Sequence, residues 1–191
     1  MATVFEVLAK DHEEVRRMLA ELETGPTAAH SASEDELLLR KRMTEQLVIE
    51  ESRHEAVEEM YFWPLVREKL EDGDWLADEA TVQEQEAKEI LNRLDKLQAS
   101  DVDFEQMLAL FTSAAREHID FEEKQVWPSL RTGLTAAEAE DLGELFVEAK
   151  RAAPTRPHPA TPGTPGVQKT AGPAAGLIDK LRDAITGRGG E

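Results

Sequence analysis

The strongest constraint on the fold of this chain is an eleven-residue pattern that occurs twice. Both copies read His-x3-Glu-Glu-x3-Trp-Pro, first as HEAVEEMYFWP from His54 and again as HIDFEEKQVWP from His118, 64 residues later. A looser match relates DHEEVRRMLAEL to QEQEAKEILNRL, 72 residues apart, and places His12 opposite Glu84. The pattern therefore predicts two similar helical hairpins, each contributing the same chemical groups.

Helical geometry gives the two glutamates of each copy different environments. Residues four apart on an α-helix lie one turn apart and about 40° around the axis, so His54 shares a face with Glu58, and His118 with Glu122. The second glutamate of each pair lies about 140° from its histidine, and we expect it to face solvent. These two outward residues are Glu59 and Glu123.

Capping signals divide the chain into helices separated by short breaks. Capping boxes at Thr3 and Ser33 predict the start of the first two helices, which end before Gly25 and near Gly73. The remaining predicted helices run from an Asp74 cap to about Gln98, from Ser100–Asp103 to before Gly133, and from the Thr135 capping box to about Arg151. No segment alternates with period two. We therefore predict an all-α protein, an up-down-up-down four-helix bundle with a short fifth helix.

Two details of these helices stay open at the level of sequence. Pro64 and Pro128 each remove a backbone donor, so we expect them to kink or end the helices that carry the repeated motif. His54 also lies about 10 Å further from the start of the second helix than His12 lies from the end of the first helix. The second helix must therefore overhang its neighbours or begin later than Ser33 indicates.

Residues 1–151 form the predicted bundle domain, because the composition changes directly after them. Six of the nine prolines fall between Pro154 and Pro173, so we expect an extended, flexible linker there. Beyond it, a weak apolar stripe predicts a short amphipathic helix over 175–186. Residues 152–191 are accordingly expected to be a Pro/Gly-rich flexible tail.

The negative charge of the chain argues against several classes of partner. The chain has 40 Asp and Glu against 22 Lys and Arg, and the net charge of −18 repels nucleic-acid backbones and anionic lipid. It has no cysteine, which excludes disulfides and thiolate metal sites and fits a reducing compartment. The N-terminus does not resemble a secretory signal, and no run approaches the ~20 apolar residues of a membrane span. We expect a cytoplasmic protein without nucleic-acid or membrane partners.

The polar residues of the repeat lie among apolar ones. His12 is in the middle of the apolar stripe of the first helix, and aromatic and aliphatic residues surround His118. Imidazoles and carboxylates that converge in a core are strongly disfavoured unless cations hold them. We therefore predict a pair of metal ions bound by residues of four helices: His12, His54, Glu58, Glu84, His118 and Glu122. The alternative is an acidic helical bundle with no bound metal.

These motifs resemble the hemerythrin-like, HHE cation-binding family over about residues 3–150. The likeness is carried by Asp11-His12 and by the two HxxxEE copies with Trp-Pro downstream, and AAPTRPHP at 152–159 resembles the trailing segment of bacterial members. The resemblance implies a non-haem centre of two carboxylate-bridged iron ions. It implies bridging carboxylates (Glu58, Glu122), terminal ligands of one iron (His12, His54) and terminal ligands of the other (His118, Glu84).

The third helix departs from the family pattern, which usually has histidine where this chain has Glu84. Either Glu84 ligates directly or the iron keeps a water in its place. Hard oxygen ligands favour Fe(III), so a carboxylate-rich centre should release oxygen poorly. The departure therefore favours chemistry on peroxide, oxygen or nitric oxide, including catalase-like peroxide decomposition, over oxygen transport.

Two functions with bound metal stay open. One is a reactive di-iron protein whose small-molecule partner is oxygen, peroxide or nitric oxide. The other is a sensing or binding module without turnover, in which iron or oxygen controls the docking of the tail. Tyr61, seven residues after His54 and on nearly the same face, is a candidate for the core or for a position beside the ligands. Neither the substrate nor the oligomeric state follows from the sequence.

Overall fold

The chain folds as two helical hairpins packed side by side. The structure, a computed structural model, describes residues 1–160, 175–180 and 182–184, and contains no β-strand in those ranges. The four long helices are α1 (Val4–Thr24), α2 (Glu34–Val57), α4 (Gly73–Leu94) and α5 (Phe104–Phe121). The shorter ones are α3 (Trp63–Lys69), α6 (Trp127–Gly133) and α7 (Ala136–Lys150). The all-α four-helix bundle with a short fifth helix, here α7, is confirmed.

The helix starts follow from local hydrogen bonding. The capping boxes at Thr3, Ser33 and Thr135 all form, with each side chain accepting a backbone N–H three residues on. The expected cap at Asp74 is wrong, because α4 begins at Gly73 and Asp72 occupies the N-cap position. Only glycine fits there: an added Cβ would lie 2.1 Å from the carbonyl oxygen of Val66.

A π-helical turn interrupts each motif-bearing helix where the repeat ends. The turns span Glu58–Phe62 and Glu122–Val126, and in the first the backbone N–H of Trp63 donates to the carbonyl of Glu58 five residues earlier. In a regular α-helix, Pro64 would lack a needed N–H and would clash with the carbonyl four residues before it. Here that carbonyl lies inside the π-turn, whose hydrogen-bond spacing differs from that of an α-helix. The prolines therefore do not end these helices, which continue as α3 and α6.

The start of α2 overhangs the neighbouring helix. The guanidinium of Arg40 donates to the carbonyl of Leu22 over 2.7 Å, so the last turn of α1 lies level with the second turn of α2. Leu38 and Leu39, at the overhanging end, are about half exposed. The overhang, rather than a later start of α2, resolves the mismatch in helix length.

Two apolar clusters fill the bundle, and the polar residues of the predicted site lie near the boundary between them. The first surrounds Phe62, Trp63 and Phe146, and the second surrounds Leu47 and Phe111. On α1, for example, the first cluster takes residues up to Leu8 and the second begins at Val15. The remaining buried layer of the bundle is polar. No helix among the described residues is long and apolar enough to cross a membrane.

The chain after α7 packs back onto the bundle. Thr155 is buried, and the carboxylate of Asp179 accepts the backbone N–H groups of Thr155 and Arg156 and lies 2.9 Å from Nε2 of His158. The helix expected over 175–186 is observed at 175–180 and 182–184. The rest of it and the linker residues 161–174 lie outside the described residues.

Candidate metal centre

All six predicted residues converge in the polar layer between the two apolar clusters. They form two overlapping groups in which each residue offers one ligand atom within 4.8 Å of the others. The first group is His12, His54, Glu58 and Glu122, and the second is Glu58, Glu84 and His118. Exposure of the six ranges from 0% to 7%. The structure thus brings together side chains that are up to 110 positions apart in the sequence.

Each imidazole directs Nε2 toward a carboxylate at the centre. Glu122 lies between two of them, with Oε2 at 3.0 Å from Nε2 of His12 and Oε1 at 3.3 Å from Nε2 of His118. Nε2 of His54 lies 3.2 Å from Oε2 of Glu58, and Nε2 of His118 lies 3.9 Å from Oε1 of Glu84. Glu122 therefore links ligand atoms of both hairpins.

The outer nitrogen of every imidazole has an acceptor. Nδ1 of His12 lies 2.9 Å from Oε1 of Glu123, and Nδ1 of His118 lies 3.1 Å from Oε1 of Gln83. A third, longer contact of 3.4 Å joins Nδ1 of His54 to Oδ2 of Asp11. Because the contacting atoms of these partners are oxygens that only accept, the proton belongs on Nδ1, which leaves the Nε2 lone pair free for a metal ion. The outer partners are Glu123, Gln83 and Asp11.

The atoms that face the centre lack hydrogen-bond donors. Nε2 of His12 and of His118, both carboxylate oxygens of Glu58 and of Glu122, and Oε2 of Glu84 are buried and have no hydrogen bond to any of the described residues. Such a convergence of lone pairs is strongly unfavourable unless a cation satisfies them. Imidazole and carboxylate donors together suit first-row divalent ions such as iron, zinc and manganese. The donor set therefore fits a metal pair.

The pKa shifts of the candidate ligands also favour a bound cation. Burial and the neighbouring carboxylates hold the pKa of Glu58 and of Glu84 well above the usual range. Burial would also raise the pKa of Glu122, but the imidazoles of His118 and His12 hold it well below the usual range. Burial opposes protonation of these two histidines, yet Glu122 raises the pKa of both. Without a cation, the carboxylates therefore depend on protons for compensation.

Each hairpin supplies one basic side chain that forms an ion pair at the outside of the centre. Arg16 donates to both carboxylate oxygens of Glu123 at 2.8 Å, and Lys88 donates to the carboxylate of Glu59. The expectation that Glu59 and Glu123 face solvent is wrong, because their side chains are only 3% and 27% exposed. Helical rotation alone could not show this, since both residues lie in π-turns and are met by cations from other helices.

The repeated tryptophans contact the ligand candidates of the first and third long helices. The indole N–H of Trp63 donates to the carboxylate of Glu84. Trp127 stacks on the imidazole of His12, with ring centroids 5.1 Å apart and planes inclined by 14°. Sequence reasoning missed these contacts and those of the outer partners. The 72-residue offset could have revealed one of them, because it aligns Gln83 with Asp11.

Three further residues considered in the sequence lie outside the two groups. Tyr61 is half-buried and packs against the cluster around Phe62, so its predicted role beside the ligands stays a prediction. His30 bonds with Thr27 at 2.9 Å in the loop between α1 and α2. His158 belongs to the packed C-terminal segment.

A surface cavity of about 650 Å³ lies beside the centre. Residues of α4, α5 and the second π-turn line it, including the half-exposed Trp75 and the buried Phe121. Gln83 also lines it, and this is the residue whose amide oxygen holds His118. The cavity therefore approaches the centre from the side of His118.

Comparisons with known proteins agree with this geometry. Residues 3–130 match the family model described as hemerythrin HHE cation binding domain. An uncharacterized hemerythrin-like protein of Schizosaccharomyces pombe (strain 972 / ATCC 24843) is 32% identical over 145 residues, which are 75% of this chain and 71% of that protein. A crystal structure of a hemerythrin HHE cation binding domain-containing protein from Mycobacterium kansasii matches with a TM-score of 0.65 and 22% identity, covering 79% of this chain and 86% of that one, and shows the same fold. The chain belongs to the hemerythrin HHE cation-binding domain family.

Proposed function

We propose that this protein binds two iron ions in the polar layer of the bundle and reacts there with peroxide, oxygen or nitric oxide. The observation that carries the proposal is the set of buried lone pairs that point inward without donors. They form two overlapping groups that share Glu58, which is the arrangement expected for two neighbouring cations. Catalase-like removal of peroxide is the activity we would test first.

The residues divide between the two ions. The first would be held by His12, His54, Glu58 and Glu122, and the second by Glu58, Glu84 and His118. The oxygen of Glu122 that lies 3.3 Å from Nε2 of His118 makes this glutamate a candidate for both. When bound, the iron pair would supply electrons and open coordination positions for a small oxidant.

The ligand set favours reaction over reversible transport. Glu84 supplies a third carboxylate where the family usually has an imidazole, and carboxylate oxygen stabilises ferric iron. Return to the ferrous state, which a carrier needs at every cycle, is correspondingly disfavoured. The chain itself contributes the dry apolar clusters above and below the centre and the acceptors that keep each Nδ1 protonated.

Metal content and peroxide consumption test the proposal together. Protein from iron-supplemented cells should contain two irons per chain and consume peroxide in proportion to its iron. The double variant Glu58→Ala, Glu122→Ala should lose both properties. A matched control, Glu68→Ala with Glu144→Ala, removes two exposed acids away from the cavity and should behave as the wild type. Far less than one iron per chain in the wild-type protein would establish the metal-free bundle instead.

A sensing module is the second candidate, and contacts of the C-terminal region favour it. Lys150, the last residue of α7, lies 2.8 Å from the Asp11 carboxylate that contacts His54. The side-chain amide of Gln85, next to Glu84, donates to the carbonyl of Pro159. A change at the centre therefore has two short routes to the segment after α7. Limited proteolysis of residues 152–191 that responds to iron, in a protein without peroxide turnover, would favour this alternative.

A further inference from the structure

The two hairpins surround the centre with equivalent contacts, which makes their differences informative. The outer contact of Asp11 with His54 recurs as that of Gln83 with His118. The pair of Arg16 with Glu123 recurs as the pair of Lys88 with Glu59. Against this common frame, one inner residue changes its chemistry. That change is His12 in the first hairpin to Glu84 in the second.

The change makes the two groups of ligands unequal. The first contains two imidazoles and two carboxylates, whereas the second contains one imidazole and two carboxylates. Imidazole nitrogen favours later first-row ions such as zinc, and carboxylate oxygen suits harder ions such as manganese. The first position is therefore richer in nitrogen, and the second is dominated by oxygen.

The surroundings of Glu84 reinforce its role as an oxygen donor. One carboxylate oxygen accepts the indole N–H of Trp63, and the other is buried without any hydrogen bond. Its neighbour Glu59, which is buried and accepts from Lys88, is a second carboxylate whose charge favours a cation at Glu84. The free oxygen of Glu84 is thus directed to a cation rather than satisfied by the protein.

We propose that the two positions differ in metal preference and fill in order. The position of His12 and His54 binds first and selects ions that favour nitrogen. The position of Glu84 binds second, more weakly, and accepts Mn²⁺ readily, so that a mixed pair of metals is stable. This inference rests on the proposed two-metal centre and adds an order of binding and a specificity to it.

Binding of Zn²⁺ and Mn²⁺ to the metal-free full chain tests the inference without any activity measurement. Protein loaded with one equivalent of Zn²⁺ is titrated with Mn²⁺, and electron paramagnetic resonance follows the free Mn²⁺. Metal analysis after desalting then gives the composition. The wild-type protein should retain one zinc and one manganese per chain.

Exchange of the unequal residue should change the preference. Glu84→His makes the second group resemble the first, so a second Zn²⁺ should bind and Mn²⁺ affinity should fall roughly tenfold or more. His12→Glu makes both groups rich in oxygen, so affinity for the first Zn²⁺ should fall by a similar factor while Mn²⁺ still binds. Glu86→His adds an exposed histidine to the same helix as Glu84 and should leave the titration unchanged.

The outcomes separate this inference from the proposed function. Two zinc ions that bind with equal affinity, with no Mn²⁺ retained beside one zinc, would overturn the unequal positions but leave a two-metal centre. Wild-type behaviour of both exchange variants, folded by circular dichroism, would overturn the role of Glu84. Failure of Zn²⁺, Mn²⁺ and Fe²⁺ alike to bind the wild-type chain would overturn both proposals.

Discussion

The two hairpins use the same framework with different burial. Lys88 of the second hairpin forms an ion pair with Glu59 of the first, and the two side chains are only 8% and 3% exposed. Their counterparts Arg16 and Glu123 are 40% and 27% exposed. The segment after α7, which is not repeated in the chain, contacts Gln85 of α4 and Asp95 directly after that helix. Internal repetition thus set the contacts around the centre but not their exposure to water.

The two hairpins also differ in whether the carboxylate of the matching residue pair lies at the outer or the inner position. In Asp11-His12 the carboxylate is the outer partner and the imidazole faces the centre, whereas in Gln83-Glu84 the carboxylate faces the centre. Each pair contains one acid, so the number of acids in the two pairs is unchanged. The distribution of charge, rather than its amount, makes the two groups of candidate ligands unequal.

The largest difference between the hairpins should appear when the outer cations are removed. Lys88→Met removes the cation that pairs with Glu59 in the interior and should lower the free energy of unfolding by about 3–5 kcal/mol. Arg16→Met breaks a pair that is only partly shielded from water and should lower it by no more than about 1 kcal/mol. Urea unfolding of the metal-free protein measures both. Equal losses would show that burial does not distinguish the two pairs.

The next largest effect should come from substituting Glu51, a buried acid whose equivalent in the other hairpin is not an acid. Glu51 aligns with Ala115 in the other hairpin, and burial raises the pKa of Glu51 to about 7. Since ionisation is harder in the folded state, the destabilisation is absent below the unfolded pKa near 4.5 and complete above pH 7. Glu51→Gln should therefore stabilise the metal-free protein by about 3 kcal/mol at pH 8 and by almost nothing at pH 4.

A matched glutamate isolates this effect. Glu117 is exposed on α5, and Glu117→Gln should change stability little at either pH. A gain from Glu51→Gln that is as large at pH 4 as at pH 8 would contradict the assignment to ionisation.

The repeated tryptophans should differ by a smaller amount. Trp63→Phe removes the hydrogen bond to Glu84 and leaves that carboxylate without a donor, at a cost of about 1.5–3 kcal/mol. Trp127→Phe removes an indole N–H that has no hydrogen bond, so most of the stacking on His12 remains and the loss should be under about 1 kcal/mol. Thermal unfolding of the metal-free variants measures the difference. A greater loss for Trp127→Phe would reverse the comparison.

The smallest effects should come from the outer acceptors. Asp11→Ala frees the ring of His54 and should weaken binding of the first Zn²⁺ roughly tenfold. Gln83→Ala frees His118 and should weaken only the second metal, by a similar factor. Competition with a chelator of known affinity separates the two equivalents. Loss of the same equivalent in both variants would show that the acceptors do not serve separate positions.

The helices and the six residues of the centre could be predicted because they follow from local rules. Capping boxes at Thr3, Ser33 and Thr135 satisfy backbone groups within one turn, so they do not depend on the rest of the fold. The pattern of apolar residues places His12 in the core, and the duplication places the equivalent groups in the second hairpin. These inferences need only helical periodicity.

The π-turns and the burial of Glu59 could not be predicted in this way. A π-turn inserts one residue per turn and changes the angle of every side chain within it, so rotation at 100° per residue fails at Glu59 and Glu123. The outer partners Gln83 and Lys88 depend on which helices are neighbours. The packing of residues 152–160 depends on a helix that begins about 15 residues later, whose Asp179 holds Thr155 and Arg156.

The sequence by itself determined the helices, the inward faces and the identity of the inner donors, because each is a property of one helix and its spacing. Only the tertiary structure decided which inner donors lie close to one another, which outer groups contact them, and which ion pairs are shielded from water. Those properties arise between helices, where the distance between atoms and the access of solvent set the energy, and no local pattern encodes either quantity.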